Sequence, residues 1–165
     1  MNILILCTGN SARSILAEAV FNRLGRGKLT AFSAGSKPVG AVNPTALRLL
    51  EAEGYEVGEF RSKSWDEFSG DVAPDLDIVI TVCGNAAGEV CPIWVGVPIT
   101  VHWGFPDPAA VDGTEDEKLA AFRLVYQALL QNVASFLALA PGFGGPKDLR
   151  REMIKIHAAS LPVKF

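Results

Sequence analysis

The sequence predicts an α/β fold, with a four-stranded parallel sheet and helices on both of its faces. Short apolar runs alternate along the chain with longer segments in which apolar residues recur at helical spacing. This alternation favours right-handed crossovers between parallel strands. A length of 165 residues suits one domain, and 49% hydrophobic and 20% charged residues are typical of a globular protein. We expect one domain over 1–140, followed by a linker and a helical tail over 141–165.

The first half of the chain contains two predicted strands and two predicted helices. The run Ile3–Leu6 is apolar and too short for a helix, so we interpret it as a buried strand. Apolar residues then recur every four positions over Ser11–Leu24, which predicts a helix that the following glycines end. The second strand is predicted at Leu29–Ala34. A second helix is predicted over Pro44–Gly54, because proline suits the first helical turn and glycine the end of a helix.

The second half contains two more predicted strands, at Leu76–Val82 and Val97–His102. Thr114 and Glu117 form a capping box, and one apolar stripe then follows the longest predicted helix. The stripe comprises Leu119, Phe122, Tyr126, Leu129, Val133 and Phe136. The glycine-rich stretch Pro141–Pro146 indicates a linker. The tail beyond it is predicted to be helical from the spacing of Leu149, Met153 and Ile156.

Composition and charge exclude several classes of function. No segment approaches the roughly 18 consecutive apolar residues that span a bilayer, so we expect no membrane association. A formal net charge of -3 gives no basic surface for a nucleic acid. The N-terminus has neither a basic region nor a long apolar core, so we expect a cytoplasmic protein without a secretory signal. In that compartment its three cysteines should stand as thiols, and no set of cysteines and histidines has the spacing of a zinc site.

The motif CTGNSARS, Cys7–Ser14, joins the first predicted strand to the first predicted helix. Ligands bind at such junctions in open parallel sheets. The backbone N–H groups between Cys7 and Arg13 can surround an anion, and Gly9 permits the positive φ that such a nest needs. The planar guanidinium of Arg13 can donate hydrogen bonds to two oxygens of a tetrahedral anion. Its charge, the nest and the helix dipole favour a nucleophilic Cys7 thiolate, which a Ser14 hydroxyl can also stabilise. The candidate anion-binding residues are Thr8, Gly9, Asn10, Ser11, Ala12, Arg13 and Ser14.

Asp107, followed by Pro108, is a candidate general acid. An oxyanion attacked by Cys7 must lose one oxygen in protonated form, and a carboxylic acid on a rigid, proline-flanked loop suits that role. A purely structural interpretation stays open for each residue. Asp107 then marks only a turn, Cys7 is a small buried residue at a strand end, and Arg13 is a solvated helix residue.

The other two cysteines are candidate partners of Cys7. Cys83 directly follows the third predicted strand. We expect this strand to lie beside the first strand and parallel to it, so the Cys83 sulfur can approach the Cys7 sulfur. Cys91 lies eight positions later, after a small and flexible segment that can bring it within disulfide distance. The alternative is that Cys83 is a buried hydrophobic residue and that Cys91 packs beside Pro92 and Trp94.

Together these motifs resemble the low-molecular-weight protein tyrosine phosphatase fold, also called phosphotyrosine phosphatase I-like, and more closely its arsenate reductase branch. The resemblance begins at Cys7–Ser14 and extends through residue 140. The further similar stretches are Val42–Pro44, Ile80–Cys83, Cys91–Pro92 and His102–Pro108. It implies reduction of arsenate to arsenite, with phosphate or sulfate as competing oxyanions. It also implies the nucleophile, anion-binding and acid roles for Cys7, Arg13 and Asp107.

In the relay that the resemblance implies, Cys7 attacks arsenate while Asp107 protonates the departing oxygen. Cys83 then attacks the Cys7 sulfur and expels arsenite, and Cys91 attacks Cys83 and carries the disulfide outward to an external thiol reductant. We expect thioredoxin as that reductant, with glutaredoxin and glutathione as the alternative, and no bound cofactor. The rival interpretations are a phosphatase that hydrolyses phosphomonoesters and a non-enzymatic oxyanion or redox sensor. Asp107 argues against the sensor, because binding alone needs no acid.

Two departures from the phosphatase pattern favour the reductase. Relatives that hydrolyse phosphotyrosine usually carry a second loop cysteine where Ala12 stands here. They also carry an aromatic pair shortly after the Asp-Pro pair, where this chain has Ala109 and Ala110. The aromatic wall for a tyrosine ring is therefore expected to be absent, unless Trp65 or Trp103 supplies it.

A third departure concerns a cation. In some thioredoxin-coupled relatives, a loop asparagine, a helix glutamate and an aspartate hold a potassium ion. Asn10 and Glu18 match here, whereas Lys63 stands near the place of the aspartate. We expect the Lys63 ammonium to take the place of the cation and to support Asn10 and Glu18; the alternative is an ordinary surface lysine. His102 is expected to be packed or hydrogen bonded, because the proposed steps leave it no proton to move.

Overall fold

The computed structural model of the protein describes residues 1–70, 72–84, 86, 94, 98–139, 145–160 and 162–165. Its strands are β1 Asn2–Cys7, β2 Thr30–Gly35, β3 Ile78–Thr81 and β4 Ile99–His102. Its α-helices are α1 Arg13–Leu24, α2 Pro44–Ala52, α3 Glu115–Leu137 and α4 Pro146–Ala159. Two short 3-10 helices lie at Trp65–Phe68 and Pro108–Ala110.

The four strands form one parallel sheet in the order β2-β1-β3-β4, which confirms the predicted fold class. β1 is central, and its Leu4 lies opposite Phe32 of β2 on one side and Val79 of β3 on the other. β3 is buried throughout and starts with three apolar residues, as expected for a parallel strand covered on both faces, whereas β2 also contains Thr30 and Ser33. Because all strands run in the same direction, their carboxyl ends meet at one edge, where Cys7 ends β1.

Successive residues of β1 enter two different hydrophobic clusters, one on each face of the sheet. Ile3 and Ile5 belong to the larger cluster, to which the four helices contribute. Leu4 and Leu6 face the smaller cluster, which includes Phe68 of the first 3-10 helix together with Ala34, Leu76, Val79 and Trp94. Both clusters are well shielded from water, so the edge of the sheet that carries Cys7 rests on a rigid base.

The predicted tail helix docks on the domain as α4. Met153 is fully buried, and its carbonyl accepts a hydrogen bond of 2.9 Å from Trp103 Nε1. Arg150 Nε donates to the carbonyl of Thr100 in β4. Of the predicted linker Pro141–Pro146, residues 141–144 lie outside the described residues. Within the part of the chain that the structure describes, no helix combines the length and apolar character needed to cross a membrane.

The element boundaries differ from the predicted ones by a few residues. α1 begins at Arg13 instead of Ser11, and the Ser11 carbonyl accepts a hydrogen bond from the backbone N–H of Asn43. α2 and α3 match their predicted starts, and Thr114 forms the expected capping box with Glu117. β4 begins at Ile99; Val97, the first residue predicted for that strand, lies outside the described residues.

Candidate active site

The loop after β1 bends around Cys7 before α1 begins. Within the described residues, Asn10 is the single non-glycine residue with a positive φ, at 43°. The prediction that Gly9 takes this conformation is wrong, because the left-handed turn falls one residue later. Asparagine tolerates that region better than most residues, and here its side chain has three partners that fix the turn.

Asn10 is the central hydrogen-bonding residue of the loop. Its Nδ2 donates to Ser14 Oγ at 3.0 Å and to Ser33 Oγ at 2.8 Å, and its Oδ1 accepts from the backbone N–H of Lys63 at 2.8 Å. All these groups are buried. Ser14, which was expected to support the Cys7 sulfur, therefore braces Asn10 in this structure. Satisfied buried networks of this kind hold a loop in one conformation before a ligand arrives.

Close backbone approach explains Gly35 at the end of β2. A Cβ atom at this position would lie 2.5 Å from the carbonyl oxygen of Thr8 and 3.0 Å from the Asn10 Cβ. No side chain fits there without displacing the loop. Because Gly35 has no side chain, the end of β2 can contact the anion loop directly.

Arg13 joins the loop to the segment after β4. Its Nη1 donates to the carbonyl of Phe105, and its Nη2 donates to Asp107 Oδ2, both at 2.9 Å. Its Nε is buried and has no hydrogen-bond partner within the described residues. The guanidinium is thus oriented by two acceptors, and its Nε–H is among the donors that remain for a bound anion.

Asp107 lies at the mouth of the site and caps a turn, as the structural interpretation expected, while its role as general acid stays a prediction. Its Oδ1 accepts a hydrogen bond from the N–H of Ala109 and caps the second 3-10 helix, while its Oδ2 meets Arg13. The Asp107 side chain is 43% exposed. A turn residue of this kind presents its carboxyl group in a fixed direction and leaves it open to proton exchange with water.

These groups surround a cavity of about 250 Å³. Such a volume is below the usual range for drug-sized ligands and suits a small anion. Among the described residues the lining contains no aromatic side chain and consists of Cys7, Thr8, Gly9, Ser11, Ala12, Arg13, Val39, Cys83, Asp107 and Ala109. Trp103 is instead fully buried in the core, and Trp65 packs edge-on against Trp94. Neither of these tryptophans lines this cavity.

Cys83 enters the same cavity from the end of β3, the direct neighbour of β1. It is 4% exposed, and its sulfur accepts a hydrogen bond from the N–H of Ala86 at 3.4 Å and lies 3.6 Å from Thr8 Oγ1. The pKa of Cys83 is lowered to about 5, first by a hydrogen bond with Cys7 and then by the bonds from Ala86 and Thr8, against the opposing effect of burial. One sulfur of this hydrogen-bonded pair therefore loses its proton more readily than an isolated thiol.

Cys7 and Cys83 share a hydrogen bond and therefore titrate as one coupled pair. The hydrogen bond to Cys83 and burial raise the pKa of Cys7, and together they outweigh Arg13 and the N–H of Gly9, which lower it. The expectation that the nest and Arg13 favour a Cys7 thiolate stays a prediction, because the charge of a coupled pair can lie on either sulfur. A second sulfur beside Cys7 offers a competing place for the charge.

Lys63 is buried beside the loop and is not a surface lysine. Its Nζ lies 3.4 Å from Glu18 Oε2, 3.5 Å from Ser33 Oγ and 3.4 Å from the carbonyl of Arg61. Lys63 and Glu18 are 8% and 14% exposed, and the Ser33 hydroxyl also donates to Glu18. An ammonium group thus meets Glu18, one of the residues that the resemblance implies as a ligand of the cation.

The structure thus brings together Cys7, Arg13, Asp107 and Cys83, while Cys91 lies outside the described residues.

His102 Nδ1 is paired with Thr81 Oγ1 at 2.8 Å, in keeping with a hydrogen-bonded residue. No group of three potential metal-ligating side chains occurs among residues the structure describes. Sequence reasoning missed the carbonyl of Phe105, since a backbone acceptor leaves no signal in a sequence.

Comparison with known proteins yields a family match and several relatives. Residues 2–153 match the family model described as low molecular weight phosphotyrosine protein phosphatase. An arsenate reductase of Halalkalibacterium halodurans is 37% identical over 134 residues, and one of Bacillus subtilis is 35% identical over 134 residues. Each alignment covers 81% of this chain and 93% of the relative. A solved arsenate reductase in a phosphate-binding state is 29% identical, with a TM-score of 0.67, over 83% of this chain and 96% of its own.

Proposed function

The chain belongs to the low molecular weight phosphotyrosine protein phosphatase family, and within this family we propose that it is an arsenate reductase with a disulfide relay of Cys7, Cys83 and Cys91. One observation carries the proposal: the sulfur of Cys83 is buried in the anion cavity and hydrogen bonded to Cys7. Hydrolysis of a Cys7 adduct would need a water in line with the central atom and gives no role to a second sulfur. A second sulfur beside the first is suited to attack it.

The first step is formation of a bond between the Cys7 sulfur and arsenic. The thiol pair shares a hydrogen bond, so after loss of one proton Cys83 can hold the remaining proton while Cys7 carries the charge and acts as the nucleophile. Arg13 and the N–H of Gly9 favour the charge on Cys7 in that state. One arsenic–oxygen bond breaks, and the oxygen leaves as water after it receives a proton from Asp107.

The second step reduces the arsenic. Cys83 then loses its proton, helped by the Ala86 N–H and the Thr8 hydroxyl, and its thiolate attacks the Cys7 sulfur. A sulfur–sulfur bond forms and the sulfur–arsenic bond breaks, with its electron pair remaining on arsenic. Arsenic(V) thereby becomes arsenic(III), which takes up protons and leaves as arsenite. The protein is left with a Cys7–Cys83 disulfide.

The third step returns the protein to its starting state. The Cys91 thiolate attacks Cys83, releases Cys7 as a thiolate and forms a Cys83–Cys91 disulfide. An external dithiol then reduces this disulfide, and we propose thioredoxin, with glutaredoxin as the alternative. Thiol chemistry of this kind requires a reducing compartment, which is the reason for proposing a cytoplasmic location.

Lys63 and Glu18 support the loop without touching the oxyanion. The Lys63 ammonium holds Glu18 and Ser33, and Ser33 holds Asn10 in its left-handed conformation. We propose that this internal cation makes potassium unnecessary for the reaction. The anion loop is thereby fixed by covalently attached groups rather than by an exchangeable ion.

A single turnover followed by mass spectrometry tests the relay. The reduced protein is mixed with arsenate without external reductant, alkylated, digested and analysed. We expect a Cys83–Cys91 disulfide in the wild type, a Cys7–Cys83 disulfide in Cys91→Ser, and no internal disulfide in Cys83→Ser. Efficient formation of a Cys7–Cys91 disulfide in Cys83→Ser would show that the order of the thiols is wrong. No disulfide in the wild type would contradict the reductase itself.

A further inference from the structure

We propose that His157, in the tail helix α4, is a positioning residue: it holds the segment Trp103–Asp107 in place, so that Arg13 and Asp107 stay aligned on the oxyanion. The inference rests on the proposed function for the role of these two residues. His157 itself lies beyond residue 153, where the match to the family model ends. Nothing in the proposed relay uses this histidine.

The His157 ring packs against two aromatic residues of that segment. It is stacked on Trp103, with ring centroids 6.3 Å apart and planes inclined by 19°, and Trp103 stacks in turn on Phe21 of α1. On its other side, His157 meets the Phe105 ring edge-on at 5.2 Å. The imidazole thus lies between the core of the domain and the loop of the site, and pairs of this kind are worth more than their buried area.

Hydrogen bonds fix the orientation of the ring. Asn132 of α3 is 1% exposed, and its Nδ2 lies 3.1 Å from His157 Nδ1. An amide nitrogen can only donate, so Nδ1 accepts and the ring is neutral with its proton on Nε2. The ring also hydrogen bonds to the backbone of Gly104. Burial, together with repulsion from His102, lowers the pKa of His157, which is consistent with a neutral ring.

Phe105 connects the His157 ring to the site. Its side chain is 5% exposed and touches His157, while its carbonyl accepts the hydrogen bond from Arg13 Nη1. Two residues later, Asp107 accepts from Arg13 Nη2. If the Phe105 side chain shifts, the carbonyl that orients Arg13 shifts with it. Small displacements of this kind weaken both anion binding and proton donation.

Three variants separate positioning from general stability. His157→Ala removes the ring contacts and both hydrogen bonds, whereas His157→Gln can still accept from Asn132 and donate to Gly104. Ile154→Ala is the matched control, because Ile154 lies on the same helix and is 42% exposed. Folding of each variant is checked by circular dichroism and urea unfolding.

Two measurements report on the site, and a third reports on the rest of the protein. The dissociation constant of inorganic phosphate, from calorimetry, reports on Arg13. The single-turnover rate of disulfide formation at saturating arsenate reports on Arg13 and Asp107 together. The rate at which dithiothreitol reduces the preformed disulfide does not involve the Trp103–Asp107 segment.

We expect His157→Ala to raise the phosphate dissociation constant and to slow disulfide formation, each by about tenfold, which corresponds to one lost hydrogen bond on a charged group. His157→Gln should recover most of both losses, and reduction by dithiothreitol should not change in either variant. The proposal is overturned if folded His157→Ala lies within twofold of Ile154→Ala in both site measurements. It is also overturned if both His157 variants slow reduction by dithiothreitol equally. If the wild type forms no disulfide with arsenate, the proposed function fails, but the phosphate measurement still tests His157.

Discussion

The buried ion pair between Lys63 and Glu18 gives the most quantitative prediction. Both side chains are mostly out of water, and the Lys63 ammonium has no other carboxylate within salt-bridge distance among the described residues. Removing one member of a buried pair costs about 3–5 kcal/mol, because the other charge is left unpaired. Ser33 still donates to Glu18 after Lys63→Met, so the lower end applies. We expect this variant to lower the free energy of unfolding by about 3 kcal/mol.

A double-mutant cycle isolates the pair from the loss of packing. Urea unfolding at pH 7 is measured for Lys63→Met, for Glu18→Gln and for the double variant. We expect the double variant to be more stable than the sum of the single losses by about 2 kcal/mol. Arg61→Met is the control, since Arg61 and Glu67 form a pair that is 59% and 43% exposed and should contribute below about 1 kcal/mol. A loss of that small size for Lys63→Met, or additive losses in the cycle, would refute the reasoning.

Three further predictions concern the thiols, the loop and the cation. In a Cys91→Ser background, ultraviolet thiolate absorbance should titrate with a midpoint near the Cys83 pKa of about 5. Cys7→Ala should raise that midpoint, because it removes the Cys7 hydrogen bond, which lowers the Cys83 pKa the most. The variant therefore carries less thiolate at pH 6; an unchanged midpoint would contradict the shared hydrogen bond. Gly35→Ala should cost about 1–3 kcal/mol in urea unfolding and weaken phosphate binding, because the added carbon overlaps the Thr8 carbonyl; wild-type affinity would show that the loop tolerates the shift. Potassium and sodium chloride at equal ionic strength should support equal arsenate turnover, and a marked gain with potassium would disprove the role given to Lys63.

The fold could be predicted because its signals are local. Four apolar runs too short for helices alternate with amphipathic segments, and parallel strands buried on both faces produce such runs. The approach of Cys83 to Cys7 followed from this topology alone, since residues that leave neighbouring parallel strands meet at the same edge. The capping box at Thr114 likewise fixed the start of α3 from four residues.

The details of the site could not be predicted, because they depend on partners distant in sequence. Asn10 takes the positive φ that Gly9 was expected to take, and its partners Ser33 and Lys63 lie 23 and 53 residues away. The Cys83 sulfur meets a second thiol, the N–H of Ala86 and the hydroxyl of Thr8, which together lower its pKa. Neither arrangement leaves a periodic pattern or a motif in the sequence.

Turnover in the complete reducing system tests the central claim most directly. Consumption of NADPH is followed with thioredoxin, thioredoxin reductase and arsenate, and hydrolysis of an aryl phosphate is measured beside it. We predict arsenate-dependent consumption of NADPH by the wild type, its loss in Cys83→Ser, and slow aryl phosphate hydrolysis. Rapid hydrolysis that Cys83→Ser leaves unchanged, with no arsenate-dependent consumption of NADPH by the wild type, would contradict the account and identify a phosphatase.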